Sequence, residues 1–206
     1  TTGILCDSTK GKFGPFAGQL FVGEFAMSAI NRVFLEKVGG QYQGACFPFL
    51  GGFDCAVLQM TWLPDGSMIV GETNRGWNSL GTRSYGLQKV RWNGKPSFEI
   101  LKMEALSDGF RFTFTQPLQK ASATAASLEA SSYTYLYHSK YGSPEVETQP
   151  VKISQASLSV DATALTVKCD NLRAGYVHEF HLPGVRSAAG QPLAHKEAYY
   201  TLNRIP

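Results

Sequence analysis

The stretch Gly18-Gln-Leu-Phe-Val-Gly-Glu24 recurs further along the chain as Gly66-Ser-Met-Ile-Val-Gly-Glu72. After a loop, each copy is followed by a second strand-like run, residues 30–35 in the first case and 85–92 in the second. A repeat of about 40–50 residues built from short strands is typical of a β-propeller blade. The repeat therefore predicts a partial β-propeller of two four-stranded blades in residues 1–104.

Strand-like runs separated by turn residues fill this first half. Pro64-Asp-Gly66 and Trp92-Asn-Gly94 suit tight turns, because glycine adopts positive φ angles readily. The predicted strands are residues 3–6, 19–24, 30–37 and 41–46 for the first blade, and 56–62, 68–72, 86–92 and 98–101 for the second.

The composition changes near residue 105, and the second half predicts a different β architecture. Phe110, Phe112 and Phe114 alternate with polar residues, which is the period-two pattern of a half-buried strand. Roughly seven such strands in about 100 residues are typical of an immunoglobulin-like β-sandwich. The sequence therefore predicts an all-β chain with blades in residues 1–104 and an Ig-like sandwich in residues 105–206.

Composition and charge exclude several classes of protein. The hydrophobic fraction of 43% is sufficient for a packed core. The net charge is only +3 and no basic block occurs, so a nucleic-acid partner is not expected. No apolar run approaches the length of a membrane span, so none is expected.

The four cysteines leave two interpretations open. Cys6, Cys46, Cys55 and Cys169 form no CxxC pair, which disfavours a local zinc or redox motif. Cys46 and Cys55 flank a short segment and could close a small disulfide loop. Buried free thiols are an equally good interpretation.

Several segments together resemble a known family. Residues 11–24, 42–49, 64–66 and 75–77 are similar to the last propeller blades of the glucose/sorbosone dehydrogenase-like proteins, the soluble pyrroloquinoline quinone (PQQ)-dependent sugar dehydrogenases. Residues 141–145 and 199–203 resemble the small Ig-like domain that follows the propeller in large multidomain bacterial versions.

This resemblance implies a periplasmic or extracellular protein with a six-bladed propeller. Its central pocket would hold PQQ, with calcium as an optional second ligand, and would oxidise a sugar or sugar-derived aldehyde. This chain would be a C-terminal fragment, and the remaining blades or another chain would complete the ring. The expected general base is a histidine, and all four histidines lie in the second half, so the fragment would be inactive alone.

The loop that contains Thr73-Asn-Arg-Gly-Trp77 is the main candidate site. A polyanionic quinone favours guanidinium partners, which predicts Arg75 as a carboxylate ligand and Arg83 as a second one. Asn74 would donate a hydrogen bond and Trp77 would form a stacking wall. The structural alternative is that Arg75 is a solvated charge and Trp77 a packing residue.

Other candidates have a structural interpretation that is favoured. Glu24 and Glu72 occupy equivalent repeat positions and could bind calcium, but hydrogen bonding at a strand end is the favoured role. Tyr133, Tyr135 and Tyr137 alternate and could form a sugar-binding platform or a half-buried sheet face. The alternative overall function is a non-enzymatic extracellular binding or scaffold module, with carbohydrate as one candidate ligand.

Overall fold

The chain is all-β, as the sequence predicts. The computed structural model describes residues 1–206, of which 49% lie in strands and 3% in helices. Three antiparallel sheets are present and none of them is closed. The structure thus confirms the all-β class, but it confirms neither the propeller nor the Ig-like assignment.

The residues form two compact units. The first contains Thr1–Phe34 and Phe47–Pro96, and the second contains Leu35–Cys46 and Ser97–Pro206. The predicted boundary between residues 104 and 105 falls inside the strand Ile100–Leu106. The division of the chain into one domain before this boundary and another after it stays a prediction.

The first unit contains one end of an eight-stranded sheet, in the order β1-β2-β3-β4, and a complete three-stranded sheet, in the order β5-β6-β7. Their strands are β1 (Ile4–Cys6), β2 (Leu20–Glu24), β3 (Ala29–Val38), β4 (Gln41–Gly51), β5 (Val57–Trp62), β6 (Met68–Thr73) and β7 (Tyr85–Val90), and the outer ends of β3 and β4 extend into the second unit.

The sequence repeat corresponds to a turn followed by a strand. Gly18 and Gly66 have φ angles of 79° and 82°, which residues with a Cβ atom adopt only at a cost. The strands β2 and β6 follow these turns and each pairs with the next strand along the chain. The repeat therefore encodes equivalent local structure in both sheets.

The core of the first unit is aromatic and includes a buried charge. Phe13 contacts Trp62 and Phe21 at ring-centroid distances of 4.8 and 5.5 Å. The Arg32 guanidinium lies 4.5 Å from the ring centroids of both Phe16 and Phe47, and Arg32 is 1% exposed. Such a stack offsets part of the cost of burying the cation.

The predicted fourth strand of the second blade, residues 98–101, lies in a different sheet. The observed strand spans Ile100–Leu106 and pairs with Gly109–Phe114 in the second unit. Ile100 and Met103 are buried there, which gives this segment its apolar partner. As a result β7 has a neighbour on one side only.

The second unit contains the rest of the eight-stranded sheet, in the order β4-β15-β14-β10-β11, and a four-stranded sheet with the order β12-β13-β9-β8. Phe110, Phe112 and Phe114 are buried, which confirms the predicted alternation in β9. Its strands are β8 (Ile100–Leu106), β9 (Gly109–Phe114), β10 (Glu129–Tyr135), β11 (Glu145–Pro150), β12 (Ile153–Leu158), β13 (Ala164–Cys169), β14 (Tyr176–His181) and β15 (Glu197–Leu202). Two 3₁₀ turns, Lys120–Ser122 and Ala125–Ser127, complete it.

Candidate functional site

The loop between β6 and β7 forms an open cleft of about 570 Å³. The cleft brings together three of the four predicted site residues, namely Asn74, Arg75 and Arg83. The other lining residues are Thr73, Asn78, Thr82, Ser84 and Tyr85. Trp77, the predicted stacking wall, is 70% exposed and does not line the cleft.

Asn74 holds the loop in shape. Its Nδ2 donates hydrogen bonds to the carbonyl oxygens of Gly81 (3.0 Å) and Arg83 (2.8 Å). Its Oδ1 accepts from Ser79 Oγ (2.7 Å) and from the Ala56 amide (3.3 Å). These four bonds use the full capacity of the side-chain amide, so a ligand could bind it only by displacing one of them.

The two arginines differ in how firmly the protein holds them. Arg83 Nη1 lies 3.6 Å from Asp54 Oδ2, and the Arg83 amide donates to the Asp54 carbonyl oxygen at 3.0 Å. The Arg83 side chain is largely exposed, and surface ion pairs of this kind are worth at most about 1 kcal/mol. The exposed Arg75 guanidinium makes no ion pair, so both groups could bind an anion at low cost.

Tyr85 is a lining residue that sequence reasoning missed. It is the first residue of β7 and 80% exposed, so its ring is available beside the arginines. The sequence placed it in a strand-like run, and an alternating strand pattern does not distinguish a packed ring from an exposed one. Its position directly after the arginine-bearing loop was the available signal.

Of the two repeat glutamates, Glu72 has a structural role in this fold. Glu72 Oε2 accepts the Cys55 amide at 3.0 Å, and burial raises the pKa of Glu72, with the Asp54 charge adding to that effect. Glu24 lies 4.0 Å from the N-terminal amino group. The structure contains no group of three or more His, Cys, Asp or Glu residues that could hold a metal ion.

The tyrosine row of the second unit is not uniformly exposed. Tyr133 is buried, and its ring lies 5.6 Å from that of the half-exposed Tyr135 in an edge-on arrangement. Tyr137 lies beyond the end of β10 and is fully exposed. A sugar could therefore reach Tyr135 and Tyr137 but not the face of Tyr133.

Two further sequence expectations concern the cysteines and membrane spans. All four cysteines are free thiols, so the disulfide loop between Cys46 and Cys55 is not formed. Cys55 and Cys169 are buried, and burial raises the pKa of each thiol. None of the helices is long and apolar enough to cross a membrane.

Comparison with known proteins gives little similarity. No family model matches the chain, and no curated protein matches it. Domains 1–6 of the surface layer protein SbsC match at 18% identity and a TM-score of 0.41, covering 54% of this chain and 14% of that one. The N-terminal part of the bacterial S-layer protein SbsC matches at 18% identity and a TM-score of 0.40, covering 54% of this chain and 25% of that one.

The resemblance to glucose/sorbosone dehydrogenase-like proteins is wrong. The solved structures that match are pieces of an S-layer protein and not PQQ-dependent dehydrogenases. Two of the motifs behind the resemblance, residues 64–66 and 75–77, are a turn and a loop, which recur wherever two strands need a tight connection, and residues 42–49 lie within the strand β4. The S-layer similarity is itself partial and implies no shared function.

Proposed function

We propose that this chain is a non-enzymatic extracellular binding module that recognises a carboxylate-bearing carbohydrate through the cleft between β6 and β7. The observation that carries the proposal is the meeting of two exposed guanidinium groups, those of Arg75 and Arg83, in one open cleft. Guanidinium groups bind carboxylates through paired, charge-assisted hydrogen bonds.

The remaining lining residues suit a sugar. Thr73, Thr82 and Ser84 supply hydroxyl groups, and Asn78 supplies an amide, so neutral sugar hydroxyls would find donors and acceptors. The exposed Tyr85 ring offers an apolar surface for a sugar face and a hydroxyl group at its tip. The open cleft favours an extended chain over a small enclosed ligand.

The hydrogen bonds of Asn74 support tight binding by fixing the loop beforehand. Its bonds to Gly81, Ser79 and the Arg83 carbonyl connect positions across the loop. A loop that is ordered before binding loses less entropy when the ligand arrives. An extracellular location belongs to the same proposal, because anionic polysaccharides of this kind lie outside cells.

The test is calorimetric titration of the whole chain with oligogalacturonate, using its methyl ester as the matched neutral ligand. Arg75→Gln should weaken binding at least tenfold, because a hydrogen bond to a charged group contributes about 1.5–3 kcal/mol. Arg83→Gln should weaken it less, since Asp54 already neutralises part of its charge. The exposed Lys140→Gln is the matched control and should change nothing. Equal affinity for the methyl ester, or an unaffected Arg75→Gln variant, would refute the proposal.

Two finer interpretations from the sequence stay predictions. One is that β1–β7 are blade-like and that another chain or further blades complete a ring, with an Ig-like second unit. The other is that the same cleft accepts PQQ, which also carries carboxylates. Titration with PQQ in the presence and absence of calcium tests this second interpretation directly.

A further inference from the structure

The strand β7 exposes an unpaired edge. The Asn74 amide donates to the Ser84 carbonyl oxygen, and β6 and β7 continue in that register from Thr73 opposite Tyr85 to Met68 opposite Val90. In an antiparallel pair, alternate residues direct their backbone groups towards the partner strand. Tyr85, Leu87 and Lys89 therefore direct their amides and carbonyls away from β6, where no strand binds them.

The same three residues place their side chains on the exposed face of the sheet. Tyr85 is 80% exposed and Leu87 is 74% exposed. Gly71 lies directly opposite Leu87 on β6, so no side chain there covers it. A strand edge with open backbone groups and large exposed apolar side chains is a template for another strand.

We propose that two copies of this chain pair antiparallel through β7, with Leu87 of each copy opposite its counterpart. In this register Tyr85 faces the second copy's Lys89, and Lys89 faces the second copy's Tyr85. Each of these three pairs exchanges two backbone hydrogen bonds, about six in total. The arrangement has twofold symmetry and joins two three-stranded sheets into one of six strands.

The match between Tyr85 and Lys89 of the two copies selects the second copy as the occupant and fixes the register. Facing Tyr85 places the Lys89 ammonium beside an aromatic ring, which is a favourable cation–π contact. An alternative register, in which the same residues still bond through their backbone but Lys89 lies at the twofold axis, would place the two Lys89 side chains opposite each other. Like charges in that position are destabilising. Lys89 also binds Asp65 at 2.8 Å, so its charge is partly balanced before pairing.

The pairing brings two basic clefts together. A second cleft, of about 490 Å³ and lined by Lys89, Arg91, Trp92 and Asn93, lies at the opposite end of β7 from Arg83. Antiparallel pairing places this second cleft beside the cleft of the other copy that contains Arg75 and Arg83. Arg91 of one copy and Arg83 of the other then repel each other. This consequence rests on the proposed function: an anionic chain that spans both clefts would remove the repulsion and strengthen the dimer.

Disulfide trapping tests the register. Opposed residues of a hydrogen-bonded pair have Cα atoms about 5.5 Å apart, which suits a disulfide. In a Cys6→Ser background, which removes the exposed native thiol, Leu87→Cys should cross-link to its own counterpart at least ten times faster than Lys89→Cys. Lys89 is the matched control because its counterpart lies about 13 Å away along the strand. Equal cross-linking rates would overturn the proposal.

Sedimentation velocity of the whole chain over a concentration series tests the edge itself. Leu87→Pro removes an amide that no bond within the chain uses, so the variant should fold normally and remain monomeric. Val160→Pro, at an exposed turn position, is the matched proline control and should dimerise as the wild type does. A Leu87→Pro variant that dimerises normally would overturn the pairing.

The two proposals fail separately. Rapid cross-linking of Leu87→Cys with no oligogalacturonate binding would refute the proposed function and support the pairing. Binding of oligogalacturonate by the Leu87→Pro monomer, together with slow cross-linking of Leu87→Cys, would refute the pairing and support the proposed function.

Discussion

His178 shows how one buried side chain makes stability depend on pH. The residue is fully buried on β14, 5.4 Å from the Phe110 ring centroid, and its Nε2 accepts the Arg173 amide at 3.4 Å. Burial lowers the pKa of His178 from about 6.5 to about 4. The neutral ring is therefore the form that the fold accommodates.

The sign of the resulting pH dependence follows from linkage. Between pH 6.5 and pH 4, His178 binds a proton in the unfolded chain but not in the folded chain. The contribution of His178 to the free energy of unfolding is therefore complete above pH 6.5 and falls as the pH drops towards 4. Between pH 7 and pH 4.5 the loss should be about 2 kcal/mol. Urea unfolding at pH 7 and pH 4.5 measures it, and His178→Gln should reduce the difference. The control His138→Gln should retain it, and a wild-type protein equally stable at both pH values would contradict the prediction.

Arg32 marks a limit of sequence reasoning at the residue scale. Nothing in the sequence distinguishes it from the exposed Arg111, because both lie in alternating strand runs. The structure buries Arg32 between Phe16 and Phe47, and the Gln19 side chain accepts a hydrogen bond from its guanidinium. Such a site depends on partners from two separate segments, residues 16–19 and β4, so local pattern could not predict it.

The positions of the strands were more predictable than the pairing between strands. The period-two pattern located β9, and the repeat located β2 and β6 with their turns. The sheet that a strand joins depends on the apolar surface against which it packs. The sequence predicted that residues 98–101 belong to the sheet of β7, but the observed strand β8 pairs with β9. The arginine loop was found from residue type alone, whereas the structural role of Asn74 required the loop's hydrogen bonds to be known.

The loop between β6 and β7 offers a prediction at the scale of one element. Asn74→Ala removes four hydrogen bonds, which leaves the Arg83 carbonyl without its side-chain donor and the Gly81 carbonyl with only the 3.4 Å bond from Ser79 Oγ. Hydrogen exchange of residues 75–84 should accelerate while that of β6 is unchanged, because the β5 and β6 ladder does not use this side chain. Asn78→Ala is the matched control, and unchanged exchange in both variants would contradict the role assigned to Asn74.

At the scale of the whole molecule, the second unit takes one segment from far upstream in the chain. Residues 44–46 of β4 pair with β15, and Gln43 exchanges hydrogen bonds with the Arg204 backbone at 2.9 and 3.0 Å. The Glu36 carboxylate accepts the Ala105 amide and the hydroxyl of the buried Tyr200. This segment, Leu35–Cys46, therefore covers part of the second unit's core.

A fragment of residues 105–206 should not fold stably, since it loses that segment and part of β8. Tyr200 would lose its acceptor and β15 would gain an open edge, each costing of order 1–3 kcal/mol against a typical total stability of about 5–15 kcal/mol. We expect poor amide dispersion in its NMR spectrum. A fragment of residues 97–206 with residues 35–46 attached by a glycine-rich linker should restore dispersion and cooperative urea unfolding. Cooperative unfolding of residues 105–206 alone would instead establish the boundary that the composition change predicts.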